Sequence, residues 1–354
     1  MLSLAVIGLD LGGTKLAGAL FTRSGKILQK SVVPLEGRQG RAVGELIRLE
    51  LKNLLTAAHV RGVNVSAIGV SVPGISYSRT GKVWAPNIPG WEDYPLRREL
   101  QAALPDKRIR VVIDSDRACY ILGETWRGVA KGCHNAIFLA VGTGIGAGIL
   151  IDGRILRGAH DIAGAIGWLA LDRPFRPEYV GCGCFEYHAS GTGLAKVASE
   201  ILARRPGRSP NSPSLHHSNP LIHKSINPSI RRSTTPPLHH SATASFASAR
   251  DVFSAYDRDD PVAKEVMAQA VEFWGMAVAN LVSLFNPKMI IFGGGVFGPA
   301  AQFIGDIYAE AQKWAQPISI KQVKLRASKL GGDAGLYGAG CLALQATNTA
   351  PEGA

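Results

Sequence analysis

The sequence predicts an α/β protein of two domains, and three observations predict it. Short apolar runs rich in Val, Ile and Leu alternate with helix-length amphipathic segments. Glycine, 41 residues of 354, gathers at the ends of those runs, and one strand–turn–strand unit occurs twice. Alternation of this kind is the mark of mixed sheets with helices laid against them. At roughly 100–200 residues per domain, the length favours two domains, each with a sizeable core.

The strand-like runs are Leu4–Ile7, Leu16–Phe21, Ala67–Val72, Arg110–Ile113, Ala136–Val141 and Met289–Phe292. Between them lie the amphipathic segments Arg41–His59, Arg117–Val129, Gly193–Ala203, Pro261–Phe285 and Pro299–Gln316, with a last helix after the Gly331–Ala339 cluster. The duplicated unit is GLDLGGTKLAGALFTRSGKIL from Gly8 and LAVGTGIGAGILIDGRIL from Leu139. Each reads apolar strand, Gly/Thr turn, small-residue strand, then a Gly turn (Ser24-Gly25, Asp152-Gly153) and a further strand. One repeat about 130 residues from the other predicts two related domains rather than a short-period solenoid.

No stretch reaches the ~18 consecutive apolar residues of a membrane-spanning helix. MLSLAVIGLD lacks the basic start and cleavage site of a secretory signal, and five cysteines are too few for a disulfide framework. A cytoplasmic protein with reduced thiols and no membrane partner is expected.

The segment Arg204–His240 stands apart. It holds seven of the 20 prolines, five of the nine histidines and no acidic residue. Its isolated Leu and Ile recur at no period of 2 or 3.6, so it is predicted to be a disordered surface insertion. The irregular spacing of its histidines argues against a metal site. Regular structure resumes near Ala249. The expected domains are 1–115, 116–330 with the insertion at 204–245, and a C-terminal helix, 331–354, returning to the first domain.

Of four glycine clusters, three could bear on chemistry, and the fourth, Gly331–Ala339, allows close packing of the last helix. In Asp10-Leu11-Gly12-Gly13-Thr14-Lys15 the order Gly-Thr-Lys, followed by a strand, excludes a P-loop, which needs Gly-Lys-Ser/Thr opening a helix. A tight turn remains, whose glycines let backbone N–H groups approach phosphate oxygens. Asp10 could hold Mg2+ through water and Thr14 could donate to a phosphate; an ordinary hairpin is the competing reading. Gly142-Thr143-Gly144-Ile145-Gly146-Ala147 satisfies G-x-G-x-x-A, but it continues into a strand where a dinucleotide fingerprint opens a helix. Gly293-Gly294-Gly295 follows a strand and offers flat backbone to a base or ribose. Asp114-Ser115-Asp116 ends a strand where a helix begins. A carboxylate there is either a helix cap or a base that takes the proton of a hydroxyl during phosphoryl transfer.

These motifs, with GVSVPG from Gly69, APNIPGW from Ala85, DSDRACYILGE from Asp114, CGCFEYHASG from Cys182, NPKMIIFGGGV from Asn286 and the GDAGLYGAG tail, resemble in order the ROK family of sugar kinases and repressors. The resemblance covers nearly the whole chain outside the insertion. It implies the actin-like ATPase (ribonuclease H-like) fold, two α/β domains flanking a cleft, and ATP-dependent phosphorylation of a hexose at its primary hydroxyl. Asp116 falls at the catalytic-base position, and Asp114 falls at a preceding Glu position. The phosphates of ATP·Mg would lie on Asp10, Gly12, Gly13, Thr14, Lys15, Gly142, Thr143 and Gly144, and the nucleoside on Gly293, Gly294 and Gly295. Sugar contacts are implied at Gly74, Asn87, Ser115, Asp116 and Glu186. The resemblance also implies a homodimer.

Two departures concern the sugar pocket. Where the family reads Ala-Gly-Glu-x-Gly-His, this chain has Ala163-Gly164-Ala165-Ile166-Gly167-Trp168, losing a sugar-binding carboxylate and an imidazole that serves sugar and zinc. The four-cysteine zinc motif is reduced to Cys182 and Cys184, with Pro177 and Tyr179 at cysteine positions. Structural zinc takes four ligands. Loss of the site is expected unless His188 or His160 substitutes.

Three readings follow: a glucokinase-like kinase, an N-acetylhexosamine or other sugar kinase with an altered pocket, and a non-catalytic sugar-binding or regulatory protein. With nine residues ahead of Asp10, the DNA-binding domain of a repressor is not expected. The net charge of +12 invites a nucleic-acid partner, but six of those charges (Arg204, Arg205, Arg208, Lys224, Arg231, Arg232) lie in the insertion. The segment has no recognition helix and no aromatic platform, so no nucleic-acid partner is expected. Deleting Arg204–His240 is expected to leave folding intact, read as an unchanged circular dichroism spectrum; aggregation of the shortened chain is the contrary result.

Overall fold

The structure, a computed structural model, describes residues 3–205 and 246–348. Most of the segment read as an insertion lies outside the described residues, as do residues 349–354 of the C-terminal segment.

The Gly8 unit folds as an antiparallel meander of β1 (Ser3–Leu11), β2 (Lys15–Thr22) and β3 (Ile27–Pro34). Helix α1 (Arg41–Val60) then leads to β4 (Val63–Val72), the short hairpin β5 (Ile75–Ser76) and β6 (Val83–Trp84), α2 (Leu96–Ala103) and β7 (Arg110–Ser115). The first sheet runs β3-β2-β1-β4-β7, with β1, β4 and β7 parallel. Its core is filled by Ile7, Leu9, Ile47, Leu51, Ile68, Val70 and Trp91.

Helix α3 (Asp116–Trp126) connects this sheet to the second meander, β8 (Ala136–Val141), β9 (Ile145–Ile151) and β10 (Arg154–Ile155). In the β9–β10 turn Asp152 and Gly153 both take positive φ, the geometry that Asp-Gly supplies in a two-residue hairpin. There follow α4 (Cys184–Ala189), α5 (Gly191–Arg204), α6 (Ala249–Tyr256), α7 (Pro261–Phe285), β11 (Met289–Gly293), α8 (Ile304–Trp314), α9 (Pro317–Ile320), β12 (Lys324–Ala327) and α10 (Ala334–Asn348). The second sheet runs β10-β9-β8-β11-β12, the same topological order as the first, again with its last three strands parallel. The duplication expected from the glycine turns is thus a duplication of whole sheets.

Helix α7 starts where Asp260 accepts from the N–H groups of Val262 and Ala263 and Pro261 occupies the first turn. It ends at Asn286, which takes the left-handed conformation with φ 42°. By length and composition α7 passes for a membrane span, with mean hydropathy 1.2, but Val266, Ala270, Trp274, Val278 and Val282 are buried in the second core. Helix α5 runs one residue into the segment read as the insertion. Arg204 closes it, paired with Glu200 one turn back.

Elsewhere the elements depart from the periodicity. Pro299–Gln316, expected as one helix, is a 3-10 turn over Pro299–Phe303 followed by α8. Helix α3 stops at Trp126, short of Val129. The buried Glu124 side chain turns back to accept from the Val129 N–H at 2.7 Å and ends the helix there.

Helix α10 returns to the first sheet, where Leu336 and Ala343 pack with Val6, Ala19, Phe21 and Ala67. Glycine makes this approach possible: a Cβ on Gly69 would lie 1.9 Å from the Ala339 carbonyl oxygen, and one on Gly338 would lie 1.8 Å from that of Cys119 in α3. Gly338→Ala is therefore expected to cost about 2 kcal/mol or more, despite its better helix propensity. Gly332→Ala, where a Cβ meets no atom within 4 Å, is expected to be neutral. Denaturant midpoints of the two variants check the contrast.

Candidate active site

The three parallel strands of the first sheet place Asp10, Ser71 and Asp114 side by side in register near their carboxyl ends. This is the edge at which open α/β sheets bind ligands. Strand β7 runs straight into α3. Ser115, in extended conformation, caps the helix by accepting from the Ala118 N–H at 3.3 Å, so the structure gives its side chain a capping role. Asp116 then holds the first helical position. Its Oδ1 accepts from the Arg117 N–H at 2.7 Å, and the Tyr120 hydroxyl lies 3.4 Å from Oδ2. Burial pushes its pKa above the ordinary carboxylate range, with Arg117 pulling it back. Asp114 is spent on structure: buried, it pairs with Arg157 through one oxygen and accepts from the Ser115 N–H through the other.

The first turn projects from the same edge, with Gly13, Thr14 and Lys15 exposed and the Gly12 N–H donating to the Lys15 carbonyl at 2.9 Å. A Cβ at Gly13 would meet nothing within 4 Å, so its backbone is open to an incoming group. Asp10 sits below, its carboxylate against Gly335 at the start of α10. Burial raises its pKa to about 6; the Ser71 hydroxyl and Lys15 pull it down, and the negative charges of Asp116 and Asp333 push it up.

The second turn is tied to α5, where the Gly191 N–H donates to the Gly142 carbonyl at 2.8 Å and the Thr192 hydroxyl to that of Thr143 at 2.9 Å. Gly142, Thr143, Gly295, Ser248, Arg250 and Phe253 line a cavity of about 1010 Å3, roomy enough for a nucleotide. Of the third cluster, only Gly295 lines it. Gly293 is buried where a Cβ would lie 2.2 Å from the Phe138 ring, and Gly294, at φ 88°, packs on the Val141 carbonyl. Gly144 stands beside Glu186, whose carboxylate accepts from the Ile145 N–H at 2.6 Å. Burial raises the pKa of Glu186 as well.

Of the residues expected to contact sugar, Gly74 lies near the start of α3. Gly74 takes φ 94°, and a Cβ there would lie 2.2 Å from the Trp84 carbonyl oxygen, so the position requires glycine. Its own carbonyl lies 3.4 Å from the Arg117 guanidinium, whose stem passes against Gly146 of the second meander. Arg117 thus links Asp116 to both halves, a role its place in the motif did not signal. Asn87 is exposed on a loop pinned by the buried Trp91, whose indole donates to the Gly40 carbonyl at 2.9 Å. The signal for that anchor was the Trp ending APNIPGW. Trp168 is 58% exposed on a 3-10 turn whose Gly167 abuts Glu186.

The residues at the degraded zinc motif do not fit the metal. No group of three or more His, Cys, Asp or Glu side chains is arranged to hold an ion among the described residues. His188 Nε2 lies 2.7 Å from the Tyr179 hydroxyl, and His160 is exposed on a distant loop.

Asp10 sets a pH dependence. Its carboxyl, raised from 3.8 to about 6, keeps its proton in the folded chain to higher pH than in the unfolded one. Its contribution to stability is therefore largest at low pH and is lost as pH rises from about 4 to about 6, at a cost of at most about 3 kcal/mol. Asp10→Asn is expected to raise the melting temperature above neutral pH and to change it little near pH 4.

Comparison with known proteins agrees with this geometry. The ROK family model matches residues 6–346. A glucokinase of Halalkalibacterium halodurans is 31% identical over 98% of this chain and 97% of its own. The ROK hexokinase of Thermus thermophilus superposes with TM-score 0.73 at 29% identity, covering 98% of this chain and 100% of that one. A ROK glucokinase of Streptomyces griseus, solved with glucose and AMPPNP, gives 0.68 at 25% identity over 96% and 99%. The actin-like ATPase fold, the ordered motifs and a match over nearly the full length agree: the chain belongs to the ROK family.

Proposed function

We propose that Asp116 is the general base of an ATP-dependent, glucokinase-like sugar kinase. The kinase activity itself follows from the family and its glucokinase relatives. The base assignment is carried by one observation: of the two carboxylates at the end of β7, Asp114 is ion-paired with Arg157, while Asp116 keeps the Arg117 N–H and a long Tyr120 contact and stands at the helix start within electrostatic reach of Asp10. Its raised pKa makes it a stronger proton acceptor than an ordinary aspartate.

In this reading Asp116 orients the primary hydroxyl of the sugar and takes its proton as oxygen attacks the γ-phosphorus of ATP. Gly12, Gly13, Thr14, Lys15, Gly142, Thr143 and Gly144 offer the phosphates backbone N–H groups, a hydroxyl and an ammonium. The cavity lined by Gly295, Arg250 and Phe253 takes the nucleoside. Gly74, Asn87 and Glu186 face the sugar. Asp10 fits Mg2+ held through water, because it lies under the repulsion of Asp116 and Asp333, which a divalent cation relieves. Bound there, Mg2+ would neutralise charge developing on the transferred phosphoryl group. The homodimer belongs to the same reading, and five free cysteines support a cytoplasmic location.

A second reading, a sugar other than glucose, is favoured by Ala165 and the exposed Trp168, which together exchange a carboxylate and an imidazole for a methyl and an indole. A coupled ADP-release screen over glucose, mannose, fructose, allose, N-acetylglucosamine and N-acetylmannosamine separates the two, and no turnover with any of them would support a non-catalytic sugar binder. With the best sugar, Asp116→Asn is expected to lower kcat by about 10²–10⁴-fold without loss of melting temperature. In the unaltered enzyme kcat/KM is expected to fall toward acid pH as Asp116 protonates, at a pH above the ordinary aspartate range. Retained turnover in the variant sinks the assignment.

A further inference from the structure

Helix α4 has six residues, too few to be stable alone, yet it carries Glu186. Two of its other side chains are anchored. Tyr187 packs beneath the Arg176 guanidinium and hydrogen-bonds Glu200 of α5. His188, 9% exposed, stacks on Phe273 of α7 with ring centroids 4.3 Å apart and planes 10° apart. Its Nε2 lies 2.7 Å from the Tyr179 hydroxyl, which is 3.3 Å from Asp172 Oδ2.

The proton pattern follows from the inventory of donors. Asp172 as a carboxylate only accepts, so the single Tyr179 proton goes to it. His188 Nε2–H then donates to the Tyr179 oxygen. This leaves Nδ1, which is buried without a partner among the described residues, as a bare lone pair, cheaper to orphan than an N–H. Burial pushes the His188 pKa down, in keeping with a neutral ring.

We propose that the Tyr179–His188–Asp172 cluster clamps α4 without a metal ion and so positions Glu186 at the second glycine turn. Successive helical residues point about 100° apart, so fixing Tyr187 and His188 on two faces fixes the direction of Glu186 on a third. Tyr179, one of the residues at a family cysteine position, thereby supplies a hydrogen bond where the family pattern has a thiolate. Tyr179 and His188 act through Glu186 as positioning residues, and the effect on sugar binding rests on the kinase reading above.

The test has a metal arm and a kinetic arm. Elemental analysis of the purified chain is expected to find substoichiometric zinc, and a strong chelator to leave the melting temperature unchanged. One zinc per chain, or a chelator-induced drop, overturns the proposal. Tyr179→Phe keeps the ring and removes the hydroxyl. It is expected to lower the melting temperature by about 2 °C and to raise the sugar KM about five-fold, with kcat and the ATP KM within about two-fold. In Tyr179→Phe/Glu186→Gln the two effects on sugar KM are expected to be non-additive. Additive effects, or an unchanged sugar KM in Tyr179→Phe, overturn the positioning role. If no sugar is turned over, the kinase reading fails, while zinc content and the Tyr179→Phe melting shift still decide the clamp.

Discussion

Backbone-to-backbone contact at helix α3 is the constraint on which the molecule depends. Its Cys119 carbonyl meets Gly338 of α10 where no Cβ could stand, and a Cβ on Gly148 of β9 would lie 1.9 Å from its Arg117 carbonyl. Helix α3 is therefore held between the C-terminal helix and the second meander with backbone against backbone at these two points, and Cys119, Ile121 and Leu122 pack around them with Phe138, Leu150 and Leu342. The close points leave the helix little room to slide, and since Asp116 is its first residue, the position of that carboxylate is set by packing on both sheets.

The same seat creates an electrostatic cost. Bringing α10 onto the first sheet puts Gly335 against Asp10 and Asp333 near it, while α3 brings Asp116, so two further carboxylates act on Asp10 beneath the glycine turn. Part of the repulsion is relieved inside the protein: Asp333 is paired with Lys30 at 2.8 Å. The rest adds to burial, the larger cause, in raising the pKa of Asp10. Carboxylates gathered at one sheet edge suit a cation, and the stability forgone there is the ordinary trade between a stable site and an active one.

Most of what was legible in the sequence rests on backbone geometry. Tight turns and close approaches demand glycine locally, so Asp152-Gly153 and the α10 glycines announced themselves, and the repeated Gly/Thr turn pattern announced the duplicated sheets. Asp116 was legible because a strand end, a cap serine and a helix start are consecutive in the chain. What was hidden depends on partners far away. Nothing near Asp114 says that Arg157 will neutralise it, and nothing near Arg117 says that its guanidinium will reach the Gly74 carbonyl while its stem rests on Gly146. The extent of α3 was misjudged for the same reason. Its amphipathic pattern continues past Trp126, but Glu124 is held by Ser328 and the Leu330 N–H, some two hundred residues later, and stops the helix.

The two sheets share one strand order but divide the chemistry unequally, and the division has a physical reason. The first meander places an acid, Asp10, on the strand before its turn; the second has Ala140 and Val141 there. A cation and a base both need carboxylates, and the first sheet supplies Asp10 from β1 and, through β7, Asp116. Around the second turn the groups are Thr143, Thr192, Ser248, Arg250 and backbone amides, with Asp257 the one carboxylate lining the cavity among the described residues, a set suited to an anion and a flat heterocycle. Glu186 stands beside the turn, and its carboxylate accepts from the Ile145 N–H on the strand leading away from it. Duplication supplied two equivalent glycine turns, and the acids lie mainly on the first; in the proposed reading that makes the first the cation side and the second the anion side. Helix α3, seated on both halves, then holds the proposed base between them.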